Sequence, residues 1–174
     1  MKKIICILFL ILIGVLGAGA QISGKKKVAA EEKSSPKIVE REKFDPTRSA
    51  AEDLQSAITK AQVENKRIIL DVGGEWCVWC RIMDNYLIQN ADVAKIRDEN
   101  FIWLKINMSE ENKNIEFLAK YPEIKGYPHL FVLEKDGTFL HSQETSELEE
   151  GKSYNKQKFT EFLTKWSLSE NSEK

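Results

Sequence analysis

The chain is poor in cysteine and histidine and has no surplus of charge of either sign. Its 174 residues carry 26 Lys and Arg against 27 Asp and Glu, two His, and a formal net charge of -1. No basic face for nucleic acid is therefore expected, and no strongly charged partner. No internal repeat and no low-complexity stretch is present, which removes solenoids and fibrous arrays. The three cysteines are Cys6, Cys77 and Cys80. A closed zinc site asks for about four ligands, and no second clustered cysteine pair exists to supply them. What remains, 42% hydrophobic and 30% charged, describes one ordinary globular domain with some sequence to spare.

The single long apolar run lies at the N-terminus. Met1-Lys2-Lys3 is a short positive start, Ile4 to Leu16 is almost wholly apolar, and Ala18-Gly19-Ala20 offers small residues before Gln21. This pattern reads as a signal peptide over residues 1–20, or as an N-terminal anchor near the shortest length that spans a bilayer. Either reading puts the domain outside the cytoplasm, in a periplasmic or other extracytoplasmic space. No Cys follows the run, so lipoprotein attachment is not expected. Residues 21–45, with Lys25-Lys26-Lys27, Glu31-Glu32 and Ser34-Ser35-Pro36, hold few large apolar groups and read as a flexible linker. Residues 169–174 read as a disordered tail, which leaves a domain over 46–168.

Within that domain the periodicity alternates. Ala50, Leu54, Ala57, Ile58 and Ala61 recur at helical spacing, so a helix is expected over 47–64. Residues 67–72 (RIILDV) form a short β-branched run, the mark of a buried strand. After Gly73-Gly74-Glu75-Trp76 a helix should run from Cys77 to about Gln89, with Asp92 capping another helical turn. A second strand is expected at 101–107 and a helix at 112–120. Strands at 130–133 and 138–141 should flank the Lys135-Asp136-Gly137 turn. Phe159, Phe162, Leu163 and Trp166 mark a last helix. The order α, β, α, β, α, β, β, α implies an α/β fold, a mixed central sheet with helices on both faces.

Cys77-Val78-Trp79-Cys80 falls where a strand ends and a helix begins. There the unpaired backbone N–H groups and the helix dipole favour a thiolate at Cys77. Cys80 lies one turn further in. Attack by Cys77 on a disulfide gives a mixed disulfide, which Cys80 then resolves. A CxxC pair alone is also half a metal site. Its place after a buried strand, in an exported chain without a second pair, favours redox chemistry.

Residues 69–80 (ILDVGGEWCVWC) resemble the thioredoxin superfamily active site. Gly126-Tyr127-Pro128 resembles that family's cis-proline loop, and the resemblance covers about residues 47–168. Within the superfamily the chain looks most like secreted thioredoxin-like proteins, such as the C-terminal domain of the bacterial transmembrane thiol–disulfide reductase. The resemblance implies catalytic roles for Cys77, Cys80, Asp71 and Pro128. Asp71 would be the buried carboxylate that takes the resolving thiol's proton, with Lys105 on the neighbouring strand as its supporting partner. Trp76 and Tyr127 would bind substrate, the latter through its backbone beside a cis peptide bond. It also implies a protein-disulfide oxidoreductase needing no cofactor and no metal. Its substrates would be disulfide-containing exported proteins, and a redox partner, membrane-embedded in one version, would recharge it.

The chain departs from the family pattern in two places. Val78-Trp79 stands where thioredoxin has Gly-Pro, and Asn85 replaces a helix proline. No His lies inside the motif, which favours a reductase or electron relay. Two other readings stay open: a Cu(I)-binding metallochaperone using both cysteines, with His129 as a candidate further ligand, and a non-catalytic interaction module with a structural disulfide.

Overall fold

The computed structural model describes residues 41–168. The expected leader at 1–20, the linker up to residue 40 and the tail at 169–174 lie outside the described residues.

Strand β1 (Arg67–Gly73) is the centre of the molecule. It pairs in parallel with β2 (Phe101–Asn107) and antiparallel with β3 (His129–Leu133), which pairs with β4 (Phe139–Glu144), giving the sheet order β2-β1-β3-β4. A strand with neighbours on both sides and helices on both faces must be apolar nearly throughout, and from Ile68 to Gly73 every residue of β1 is buried. Its side chains alternate between two cores. Ile68, Leu70 and Val72 pack with Ala50, Ala57 and Ala61 of helix α1 (Ala50–Glu64). Ile69 faces the opposite core, built from Met83 and Leu87 of α2 (Val78–Gln89), Val93 of α3 (Ala91–Asn100) and Phe159 and Leu163 of α5 (Lys156–Trp166). Asp71 and Gly73 share the Ile69 parity and so lie beneath α2. The fold is thioredoxin-like, a four-stranded mixed sheet flanked by helices on both faces, as expected from the sequence.

Helix α1 begins at Ser49, whose side chain accepts from the Glu52 N–H, with Glu52 and Asp53 in the first turn. It ends at Asn65, which takes a left-handed conformation (φ 50°) and returns its N–H to Ala61.

Four expectations about elements need correction. The helix expected over 112–120 shrinks to α4 (Ile115–Leu118). Asn114 holds a positive φ of 47°, and the Asn107 and Asn114 side chains bond backbone carbonyls at Asn112 and Asn107, so the chain before Ile115 is held as a turn. Asp92 does not cap a helix: α3 starts at Ala91 after Asn90, and the Asp92 carboxylate pairs with Lys156 at 2.7 Å. Strand β4 runs three residues beyond its expected end, to Glu144. It is followed by a 3-10 turn (Thr145–Leu148) and a small hairpin of β5 (Glu149–Glu150) and β6 (Ser153–Tyr154) that the sequence pattern did not announce. Finally, residues 41–45, expected within the linker, contain Phe44, which is only 2% exposed.

Candidate active site

Gly74 to Trp76 turn the chain out of β1, closed by the Cys77 N–H bonding to the Gly74 carbonyl at 3.0 Å. Cys77 is the N-cap of α2, with extended backbone angles, and its Sγ accepts from the Cys80 N–H at 3.0 Å. The two cysteines form a disulfide. No carboxylate sits in the first turn of α2, so nothing competes with Cys77 for the positive end of the helix dipole. When the bond opens, the dipole and the Cys80 N–H both favour the thiolate on Cys77. Cys80 is fully buried and Cys77 is 3% exposed. The pair fits against β1 only because residue 73 is glycine: a Cβ there would lie 2.5 Å from the Cys80 sulfur and 3.0 Å from the Phe44 ring.

Beneath the pair runs a chain of charges. Asp71, wholly buried, accepts from Lys105 Nζ at 2.9 Å and from Trp103 Nε1 at 3.1 Å, both on Oδ2, and Oδ1 has no hydrogen-bond partner among the described residues. Trp103 and Lys105 reach the same carboxylate because they are two residues apart on β2. Lys105 also donates to Asp84 Oδ1 at 2.7 Å, and Arg41 Nη1 donates to Asp84 Oδ2 at 3.1 Å. Arg41 continues the line to Glu75 through two further hydrogen bonds. Burial pushes the Asp84 carboxyl above the ordinary carboxylate range despite the pull of Lys105 and Arg41. Burial alone would depress the Lys105 ammonium, but Asp71 and Asp84 outweigh it and the net shift is upward. At the exposed end, the hydrogen bond from Arg41 holds the Glu75 carboxyl below its ordinary value.

Trp76 is 56% exposed, with its Nε1 donating to the Met108 carbonyl at 2.6 Å and its ring edge-on to Tyr127 at 5.5 Å between centroids. Tyr127 is partly buried against the cysteine pair, and the Tyr127-Pro128 bond is cis. The Thr145 hydroxyl donates to the Pro128 carbonyl at 2.5 Å, fixing that loop to the end of β4. Every site residue expected from the sequence is therefore gathered at one end of the sheet. His129 is different. It is buried on β3 opposite Val72, on the face away from Asp71, with Nε2 at 2.8 Å from the Ser142 hydroxyl.

Sequence reasoning missed Asp84, Trp103, Arg41 and Phe44. Asp84 carried a signal: it stands four residues after Cys80 on α2, hence on the same helix face. Trp103 stands two before Lys105 on a strand, hence on the same strand face. Arg41 and Phe44 lie in a charged stretch without periodicity, and only the folded chain brings them to Glu75 and Gly73.

Comparison with known proteins gives the same picture. A thioredoxin-like family profile matches residues 49–135, half of the chain. The thiol:disulfide interchange protein DsbD of Colwellia psychrerythraea is 30% identical over 95 residues, covering 53% of this chain; the chain spans 15% of that relative's length. Among solved structures, a disulphide isomerase from Xylella fastidiosa Temecula1 matches with a TM-score of 0.61 at 23% identity, over 70% of this chain and 94% of that one. The oxidised DsbD C-terminal domain of Neisseria meningitidis matches at 0.50 and 23%, over 72% and 99%. These two likenesses establish the fold. With the profile match over the strand, the cysteine pair and the proline loop, they lead to one conclusion: the chain belongs to the thioredoxin-like family.

Proposed function

We propose that the domain is a thiol–disulfide oxidoreductase acting on exported proteins, working as a reductase or electron relay. The observation that carries this reading is the Cys77–Cys80 disulfide at the start of α2, set over the buried Asp71–Lys105 pair. In the reducing direction, the Cys77 thiolate attacks a substrate disulfide, forming an Sγ–S bond and expelling one substrate thiolate. Cys80 then gives up its proton and attacks Cys77 Sγ. The internal disulfide forms, the second substrate thiolate leaves, and two electrons have passed to the substrate. Asp71 is the acceptor we assign to the Cys80 proton, steadied by Lys105 and Trp103. Trp76 and Tyr127 frame the groove where the substrate chain would lie, beside Pro128. Each turnover leaves the domain oxidised, so a dithiol donor must recharge it, and a membrane-embedded donor suits an extracytoplasmic domain. That location rests on the charged, apolar and small-residue pattern of residues 1–20.

The division of labour is tested with glutathione disulfide and single-cysteine variants. Reduced Cys80→Ser should hold glutathione as a stable one-to-one mixed disulfide seen by mass spectrometry, because the resolving thiol is gone. Cys77→Ser should form little adduct, since Cys80 lies inside the first turn of α2 with its sulfur against Gly73, whereas Cys77 caps the helix. Equal labelling of both variants would refute the assignment of Cys77 as nucleophile.

A further inference from the structure

The Cys77–Cys80 bond is closed off on one side by the chain segment that enters the domain. Phe44 forms one small cluster with Cys77 and Cys80, and its ring and the Cys80 sulfur together fill the space that a Cβ at residue 73 would need. Three tethers hold it there. The Phe44 N–H donates to Glu75 Oε1 at 2.9 Å, Arg41 bonds both Glu75 oxygens, and Arg41 bonds Asp84. Lys105 Nζ lies 4.1 Å from the centre of the Phe44 ring, a cation–π contact on its other flank. Glu75 sits in the turn just before Cys77, and Asp84 is one turn of α2 beyond Cys80. The tethers thus attach residues 41–44 to the two ends of the motif itself.

An attacking thiolate must approach a disulfide sulfur along the S–S axis, which needs an open sulfur. Here Cys77 is 3% exposed and Cys80 fully buried, while neighbouring Trp76 and Val78 are 56% and 58% exposed. The cover is local to the reacting atoms, and Phe44 shares it with Trp79 and Tyr127. Phe44 and the segment's contacts to Asp84 and Lys105 are buried, but residues 41–44 belong to no helix or strand and the Arg41–Glu75 pair lies at the exposed side, so the segment can leave without breaking a hydrogen bond of the sheet.

From this geometry we infer that residues 41–44 are a strap over the redox pair, and that Phe44 determines specificity by shielding the disulfide from small thiols until the strap is displaced. The inference rests on the reading of Cys77–Cys80 as an exchange site. With dithiothreitol as the small thiol, one thiolate attacks Cys77 Sγ, the Cys77–Cys80 bond breaks and Cys80 leaves as a thiolate. The second dithiothreitol thiol then closes its own ring disulfide and releases Cys77. Two electrons pass from dithiothreitol to the protein.

The test is the rate of this reduction, followed by quenched thiol alkylation, in oxidised wild type and three variants of the full chain. Phe44→Ala should be reduced about tenfold faster or more, which corresponds to losing roughly 1.4 kcal/mol of strap binding. Arg41→Ala, which cuts the tether without touching the ring, should also be faster. Phe44→Leu, which refills the space, should return towards the wild-type rate. Denaturation midpoints measured alongside identify a variant that has lost its fold; should Phe44→Ala do so, Arg41→Ala decides. Wild-type rates in the folded Phe44→Ala and Arg41→Ala proteins would overturn the strap while leaving the exchange reading standing. A disulfide that dithiothreitol reduces in none of the folded proteins would overturn both.

Discussion

Lys105 shows how a buried charge is kept at this site. Taking an ammonium out of water costs several kcal/mol, and a single carboxylate partner repays that only with good geometry. Lys105 has two, Asp71 at 2.9 Å and Asp84 at 2.7 Å, and each carboxylate has a second donor in Trp103 or Arg41. His129 is held differently. It is wholly buried, its Nδ1 has no hydrogen-bond partner among the described residues, and Glu144 stays 3.8 Å away on a part-exposed side chain. Burial, with a smaller contribution from the charge of His141, lowers its pKa to about 4. The unfolded chain therefore binds a proton near pH 6.5 that the folded chain refuses until about pH 4. Stability falls as pH drops through that window, by about 3 kcal/mol at pH 4. Urea denaturation at pH 7 and pH 4 should show this loss in wild type and a much smaller one in His129→Gln. An unchanged pH dependence in the variant would contradict the assignment.

At the scale of elements, the site is a joint between β1 and α2, and Gly73 is where they touch. A methyl at that position would overlap the Cys80 sulfur, which the disulfide holds in place, and press on Phe44. Gly73→Ala should destabilise the oxidised protein by about 1–3 kcal/mol, measured from denaturant midpoints, as overpacked cores do. A wild-type midpoint would mean that the joint is looser than its contacts imply. Elements with a strong local signal were legible in the sequence: the apolar, β-branched run of β1, the helical spacing of α1 and α5, the hairpin turn at 135–137. Where local side chains override the period, the reading failed. Asn112 and Asn114 consume the helix expected before Ile115, and β5 and β6 are two residues each, too short to carry any period.

For the whole molecule, the centre of the site was legible because it is written in adjacent residues: a buried strand, a turn, then Cys77 and Cys80. The rest of the site lies far off in sequence. Phe44 and Glu75 are 31 positions apart, Lys105 and Asp84 are 21, and only the sheet order β2-β1-β3-β4 brings them to one end. A lone phenylalanine among Arg41, Glu42, Lys43 and Asp45 has the composition of a linker, and its burial is a tertiary fact. On the proposed function, this end of the sheet exchanges two electrons reversibly, in the reducing direction. The most direct measurement of this is the midpoint potential of the Cys77–Cys80 pair, read by thiol alkylation across dithiothreitol redox buffers. One reversible two-electron transition is expected at about -270 mV, the range of a thioredoxin-type reductant. A midpoint near about -120 mV would contradict the direction, and a disulfide that stays closed in the folded protein across every buffer would contradict the exchange itself.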